Sequence, residues 1–203
     1  MTGNGAEIIV IEIGCANTAS VLFALERLGA EARLSSDPAE IAAAAKVVLP
    51  GVGAAGFAMS RIRELGLYDT IRGLKAPLLG VCLGQQLLFE GSEEGDVECL
   101  GLIPGKVTKM TATPDMVVPH MGWNQLEVIK ADPLTAGVNN GDFAYFVHSY
   151  VCPVNDHTLT TSTYGAPFAA MVRKDNVFGC QFHPERSSTT GARILENFLR
   201  VDL

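Results

Sequence analysis

Pro77-Leu78-Leu79-Gly80-Val81-Cys82-Leu83-Gly84-Gln85-Gln86-Leu87-Leu88-Phe89 is the stretch on which the reading of the whole chain turns. Pro77–Val81 is a short apolar run of strand type and Leu83–Glu90 is helix-prone, so a sharp strand-to-helix turn falls at Cys82. Gly80-Val81-Cys82-Leu83-Gly84 has the spacing of a nucleophile elbow, with cysteine where hydrolases often carry serine. A nucleophile on such a turn takes a strained backbone conformation. Small residues two positions to either side let strand and helix approach closely enough to make the turn. The helix start favours negative charge on the sulfur, and the Leu83 N–H is placed to donate to an oxyanion. The plainer alternative is a buried packing cysteine, the usual fate of a free thiol. Cys15, Cys99, Cys152 and Cys180, in or beside apolar runs, take that plainer reading.

Upstream of the elbow, strand-like and helix-like runs alternate. Strands are expected at Glu7–Ile13, Glu31–Leu34 and Lys46–Leu49, and helices at Ser20–Leu28, Pro38–Ala45 and Ala54–Leu65. This alternation predicts parallel strands with right-handed crossovers, hence an α/β sheet covered by helices on both faces. After about Gly91 the pattern changes to β-rich runs separated by turn residues. They are Val107–Met110, Trp123–Val128, Phe143–Val151, Thr158–Thr163, Phe168–Arg173 and Val177–Phe182, with Asp175-Asn176 as a hairpin turn. These add an antiparallel portion, and a helix over Gly191–Leu199 closes the fold. Residues 1–203 read as one domain without linker or repeat, Met1–Ala6 being expected to be disordered.

Composition narrows the function. Hydrophobic residues make up 48% of the chain and charged residues 18%, enough to fill a core. The formal net charge of −7, with no basic cluster, argues against a nucleic-acid partner. No apolar run reaches the ~18 residues of a membrane span, and the first residues lack a secretory signal. Five cysteines at irregular spacing do not make a disulfide framework, so a cytoplasmic location is expected.

A sulfur nucleophile that attacks an amide needs an acid for the departing amine. Gln181-Phe182-His183-Pro184-Glu185 follows a strand candidate, and in an extended segment positions i and i+2 share a side. Glu185 is thus placed to hold the His183 ring, in the chain order Cys–His–Glu. A surface His-Pro-Glu turn is the bland alternative. A zinc site on Cys180 and His183 lacks a second ligand pair. His120 and His148 read as hydrogen-bonded loop histidines, and His157 as exposed. Pro50-Gly51-Val52-Gly53 is suited to offer a second oxyanion N–H, and is equally compatible with a phosphate-cradling loop or a simple turn.

Taken together, these motifs resemble the class I (triad) glutamine amidotransferases, which have a flavodoxin-like α/β fold. Within that family the chain is similar to the glutaminase subunits of imidazole glycerol phosphate synthases. The more specific marks are Gly14-Cys15-Ala16-Asn17, His120-Met121-Gly122-Trp123-Asn124, Tyr145-Phe146-Val147-His148-Ser149-Tyr150 and Arg186-Ser187, and the likeness spans residues from about 8 to 200. The resemblance implies glutamine hydrolysis through a Cys82 thioester, with His183 and Glu185 completing the triad. It implies an oxyanion hole at Leu83, Gly51 and Val52, and glutamine held by Gln86, Glu94, Ser149 and Tyr150. Asn17, Trp123, Tyr145 and Arg186 would face a (β/α)8-barrel cyclase subunit, bound as a heterodimer and receiving the ammonia. No cofactor or metal is implied. A peptide flip in Pro50–Gly53 would switch the oxyanion donor on and off, worth ~3 kcal/mol. Glu12-Ile13 stands where the family often has an aspartate-containing pair. The alternatives are the glutaminase of another amidotransferase and a stand-alone cysteine hydrolase of related fold.

Overall fold

The computed structural model describes residues 7–14, 17–114 and 116–202. Cys15 and the expected disorder of Met1–Ala6 lie outside them. In chain order the first half runs β1 (Ile8–Ile11), α1 (Thr18–Arg27), β2 (Ala32–Ser35), α2 (Pro38–Ala43), β3 (Lys46–Gly51), α3 (Ala55–Glu64), α4 (Leu67–Gly73), β4 (Leu78–Cys82) and α5 (Leu83–Leu87). The second half runs β5 (Gly91–Ser92), β6 (Val97–Glu98), β7 (Lys106–Lys109), β8 (His120–Gln125), β9 (Glu127–Val128), β10 (Phe143–His148), β11 (Tyr150–Val151), β12 (Thr158–Tyr164), β13 (Ala166–Lys174), β14 (Val177–Cys180) and α6 (Ser188–Leu199).

Among the described residues, the main sheet has the order β2-β1-β3-β4-β14-β13-β12-β9. Its β2-β1-β3-β4-β14 half is parallel and follows the flavodoxin-like order. β13, β12 and β9 continue it antiparallel. The fold class is therefore the one expected from the alternation of runs. Successive strand residues point to opposite faces, and both faces are covered. Ile9, Ile11, Val47 and Leu49 pack with Ile41 of α2, Met59 and Ile62 of α3 and Ile71 of α4. Ile8, Val10, Val48 and Leu79 pack with Leu25 of α1 and Ile194 and Phe198 of α6. That double burial explains why β1 and β3 read as unbroken apolar runs rather than alternating ones.

Several boundaries differ from expectation, for local reasons. α4 was not anticipated: it is a short helix between Gly66 at φ 69° and Leu74, too brief to show periodicity. Trp123–Val128 splits at Leu126, because β8 pairs with β10 while β9 pairs with β12 of the main sheet. Phe143–Val151 splits at Ser149, since β11 leaves the β8–β10 ribbon to join a small sheet of order β11-β7-β5-β6. The second split matters most, for it sets Ser149 and Tyr150 beside the end of β4. The hairpin is as expected: Lys174 pairs with Val177 across Asp175-Asn176, with Asp175 at φ 54°.

Candidate active site

Cys82 sits where β4 becomes α5, with φ 55° and ψ −111°. A non-glycine residue there carries strain of about 1–3 kcal/mol, held in place by its surroundings. The neighbouring glycines show how. A Cβ on Gly84 would lie 1.8 Å from the Leu49 carbonyl oxygen of β3, and one on Gly80 would lie 2.7 Å from the carbonyl carbon and oxygen of Gly84. Only hydrogen at both positions lets α5 start directly against β3 and β4. Cys82 itself is 6% exposed, and the Leu83 N–H lies in the first turn of α5, where it has no partner within the helix.

His183 lies just beyond β14 at the start of a short 3₁₀ turn, Pro184–Arg186. Its N–H donates to the Tyr145 carbonyl of β10 at 2.9 Å, and its own carbonyl accepts from Ser187 Oγ at 2.7 Å. Ser187 Oγ in turn accepts from the Tyr145 N–H at 2.9 Å, so one buried hydroxyl clamps the turn to the ribbon. Gly191 of α6 packs so closely beneath that a Cβ there would be 2.0 Å from the Pro184 carbonyl oxygen. With its backbone fixed, the imidazole Nδ1 is 2.9 Å from Glu185 Oε1, and both side chains are largely buried. Burial alone would lower the His183 pKa. Hydrogen bonds to Cys82 and Glu185, with their charges, outweigh it and push the value up to about 10. An imidazole so held stays protonated at neutral pH beside the Cys82 sulfur.

Cys82, Leu83 and His183 line a cavity of about 250 Å³ together with Val52, Gly53, Gln86, Glu94, Pro119, Val147, His148, Ser149 and Tyr150. Most residues named from sequence thus converge here, at the carboxyl ends of β3, β4 and β14, where open α/β sheets bind ligands. Gly51, the last residue of β3, pairs with Cys82, which brings the Pro50–Gly53 loop to the nucleophile. Gln86 reaches across the floor: its Nε2 donates to the Tyr150 carbonyl at 3.0 Å and to Gln181 Oε1 at 3.0 Å. Glu94 Oε2 accepts from the Ala55 N–H at 2.8 Å, capping α3 just after the Pro50–Gly53 loop. Charge on Glu94 is therefore coupled to the loop's exit.

Three of the four residues expected at a partner face lie together. Trp123 and Tyr145 are register partners on the ribbon with ring centroids 5.8 Å apart, and the Arg186 guanidinium lies 4.9 Å from the Tyr145 centroid. Asn17 instead caps α1, accepting from the Ser20 N–H at 3.4 Å. Gln181, Ser187 and His148 were not singled out as site residues, yet each holds a site residue or lines the cavity, and His120 in turn holds His148. His157 is half-buried rather than exposed. Cys99, Cys152 and Cys180 are buried as expected. Burial pushes the first two thiols up to about 11 and 12, and raises the third well above its ordinary value. Among the described residues no cluster of His, Cys, Asp and Glu is arranged to hold a metal, and no helix is long and apolar enough to cross a membrane.

Fold and site together define an α/β protein of the nucleophile-elbow type, with cysteine at the elbow and a histidine–carboxylate pair over it. The family model "Glutamine amidotransferase class-I" matches residues 9–201. The chain belongs to the class-I glutamine amidotransferases. It is 52% identical over 196 residues to the "Imidazole glycerol phosphate synthase subunit HisH" of Xylella fastidiosa (strain Temecula1), covering 97% of this chain and 98% of that one. It is 53% identical over 195 residues to the protein of the same name from Xanthomonas euvesicatoria pv. vesicatoria (strain 85-10), covering 96% and 98%. A solved glutamine amidotransferase structure, 22% identical, superposes with a TM-score of 0.72 over 94% of this chain and 96% of the other, a likeness of fold.

Proposed function

We propose that this chain is the glutaminase subunit of an imidazole glycerol phosphate synthase, with residues 1–203 working as one domain. The observation that carries the reading is the convergence, in one cavity, of Cys82 on its strained turn, His183 with Glu185 bonded behind it, Gln86, Glu94, Ser149 and Tyr150. Glutamine lies there with its α-ammonium towards the Glu94 carboxylate and its side-chain amide towards Cys82. The sulfur attacks the amide carbon. The resulting oxyanion is met by the Leu83 N–H and by a peptide N–H of the Gly51–Val52 segment. His183, kept in orientation by Glu185, gives its proton to the leaving nitrogen, and ammonia departs from a Cys82 thioester. Water then attacks the thioester with His183 as base, glutamate leaves, and the thiol is restored.

The ammonia passes to a (β/α)8-barrel cyclase subunit, bound as a heterodimer. There it is used to form imidazole glycerol phosphate and the aminoimidazole carboxamide ribotide of histidine biosynthesis, in the cytoplasm. Trp123 and Arg186, both exposed, pack against the half-buried Tyr145 ring and with it suit that docking face. Asn17, at the head of α1, marks a second contact. A flip of the Pro50–Gly53 backbone on docking supplies or withdraws the second oxyanion donor. A glutamine-analogue electrophile tests the assignment of the nucleophile. One label per chain is expected, on Cys82 and blocked by glutamine, with Cys99, Cys152 and Cys180 unmodified. Labelling spread over the cysteines, or indifferent to glutamine, would overturn it.

A further inference from the structure

Two buried histidines have no task in the steps above. His120 and His148 face each other across the end of the β8–β10 ribbon, 3% and 6% exposed, and His148 lines the cavity beside His183. The His120 ring stacks between Phe146 and Tyr164, with centroids 5.1 and 4.1 Å away, so it cannot swing aside.

The proton positions follow from their partners. His148 Nδ1 is 2.9 Å from the Tyr150 carbonyl oxygen. A carbonyl only accepts, so Nδ1 carries the proton. In a neutral ring Nε2 is then an acceptor, and the group 3.0 Å from it is His120 Nδ1, which must donate. This leaves His120 Nε2 as an acceptor, 3.3 Å from Asn124 Nδ2. The Asn124 amide is oriented independently. Its Oδ1 accepts from the Gln125 N–H at 2.8 Å, and its Nδ2 donates to the Thr163 carbonyl at 2.9 Å. Main-chain groups thus pin both ends of the chain, and both impose the same polarity. Burial, opposed at His148 by the Tyr150 carbonyl and aided there by the neighbouring His120 and His183, lowers both imidazole pKa values to about 4, which keeps the rings neutral.

The far end of this chain bears on the chemistry. The Tyr150 carbonyl also accepts from Gln86 Nε2, so both of its lone pairs are used. Gln86 continues to Gln181 Oε1, and Gln181 Nε2 is 3.9 Å from Cys82 Sγ. One carbonyl therefore ties the Ser149–Tyr150 wall to α5, the helix that begins at the nucleophile. We infer that His148, its tautomer held by His120, is a positioning residue of the glutaminase site: its Nδ1–H fixes the Tyr150 carbonyl, and with it the wall against which glutamine lies. The role rests on the function proposed for the cavity. With both ring nitrogens spent, His148 has neither proton nor lone pair to offer the substrate.

Two measurements test this. The ¹⁵N imidazole shifts of the free chain at neutral pH are expected to show His120 and His148 as fixed Nδ1–H tautomers, the opposite of the Nε2–H form an exposed histidine favours. Nε2–H, averaged or protonated rings would overturn the inference whatever the activity. The second measurement exploits shape. An asparagine amide nitrogen falls near Nδ1 of the replaced histidine, and a glutamine amide nitrogen falls near Nε2. In complex with the cyclase subunit, His148→Gln is expected to raise the KM for glutamine about tenfold, the scale of one lost hydrogen bond. Its kcat should stay within about threefold of wild type, and His148→Asn should keep KM within about threefold. Equal KM values for the two variants would overturn the positioning role. If the wild-type complex itself releases no glutamate, the reading of the cavity falls and the role falls with it.

Discussion

Replacing Gly84 with alanine would place a methyl carbon 1.8 Å from the Leu49 carbonyl oxygen and 2.9 Å from its carbon. An ordinary C···O contact is about 3.3 Å, so β3 and α5 would have to part by roughly 1.5 Å. Both partners are backbone, and no rotamer change can relieve the clash. The strand that must retreat is paired to β4 through Leu49–Gly80 and Gly51–Cys82, so separation also loosens the ladder that holds the elbow. Overpacking among side chains costs about 1–3 kcal/mol, and a clash between two main chains should reach ~3 kcal/mol or more. Gly56→Ala is the matched control. It lies in α3 with nothing within 4 Å of the new methyl, and should stabilise by about 0.5–1 kcal/mol through helix propensity. Urea titrations read both changes as shifts of the midpoint at constant slope. A Gly84→Ala variant within about 1 kcal/mol of wild type would mean that the close approach of strand and helix at the elbow is not as described.

Glu185→Gln should keep the fold and lower kcat between a hundredfold and roughly ten-thousandfold, because the amide no longer enforces one tautomer of His183; steady-state rates in the cyclase complex decide it, and an unaltered kcat would remove Glu185 from the site. Stability should peak near pH 6.5, and its two arms have opposite origins. His120 and His148 have pKa values lowered to about 4, so the unfolded chain binds more protons between pH 4 and 6.5. Their neutral rings cost nothing above that window, and stability is lost as pH falls through it, by roughly 3 kcal/mol for one imidazole. His183, raised to about 10, contributes stability that is fully present below pH 6.5 and lost as pH rises towards 10. Urea midpoints against pH should show His148→Asn flattening the acid arm and Glu185→Gln the alkaline one; arms unaltered by these variants would contradict the assignments.

Where the determinants are local, the sequence could be read directly. The apolar runs of β1, β3 and β4 and the glycines around Cys82 act within a few residues, and the structure places them as expected; Glu185 does meet the His183 ring, but from a 3₁₀ turn rather than from the extended segment read in the sequence. What escaped reading depends on pairing across the chain. Nothing in Phe143–Val151 alone says that Ser149 breaks the strand, because the break exists to let Tyr150 pair with Lys109. Likewise, His120 and His148 look like separate loop histidines until the ribbon's register sets them face to face. Ser187 reads as an ordinary residue after Arg186, yet its hydroxyl bridges His183 to Tyr145, 42 positions away. α4 was missed for a different reason: a helix of 7 residues between Gly66 and Leu74 shows too little periodicity to be seen.

The most direct test of the account is glutamate release from glutamine, measured for the chain alone, with a cyclase subunit and its nucleotide ligand, and with Cys82→Ala in the same mixture. Release by the free chain should be negligible, should rise at least about a hundredfold in the complex, and should vanish with Cys82→Ala. Fast turnover by the free chain would make it a stand-alone hydrolase. Release that survives Cys82→Ala would take the nucleophile, and with it the central claim, away from the elbow.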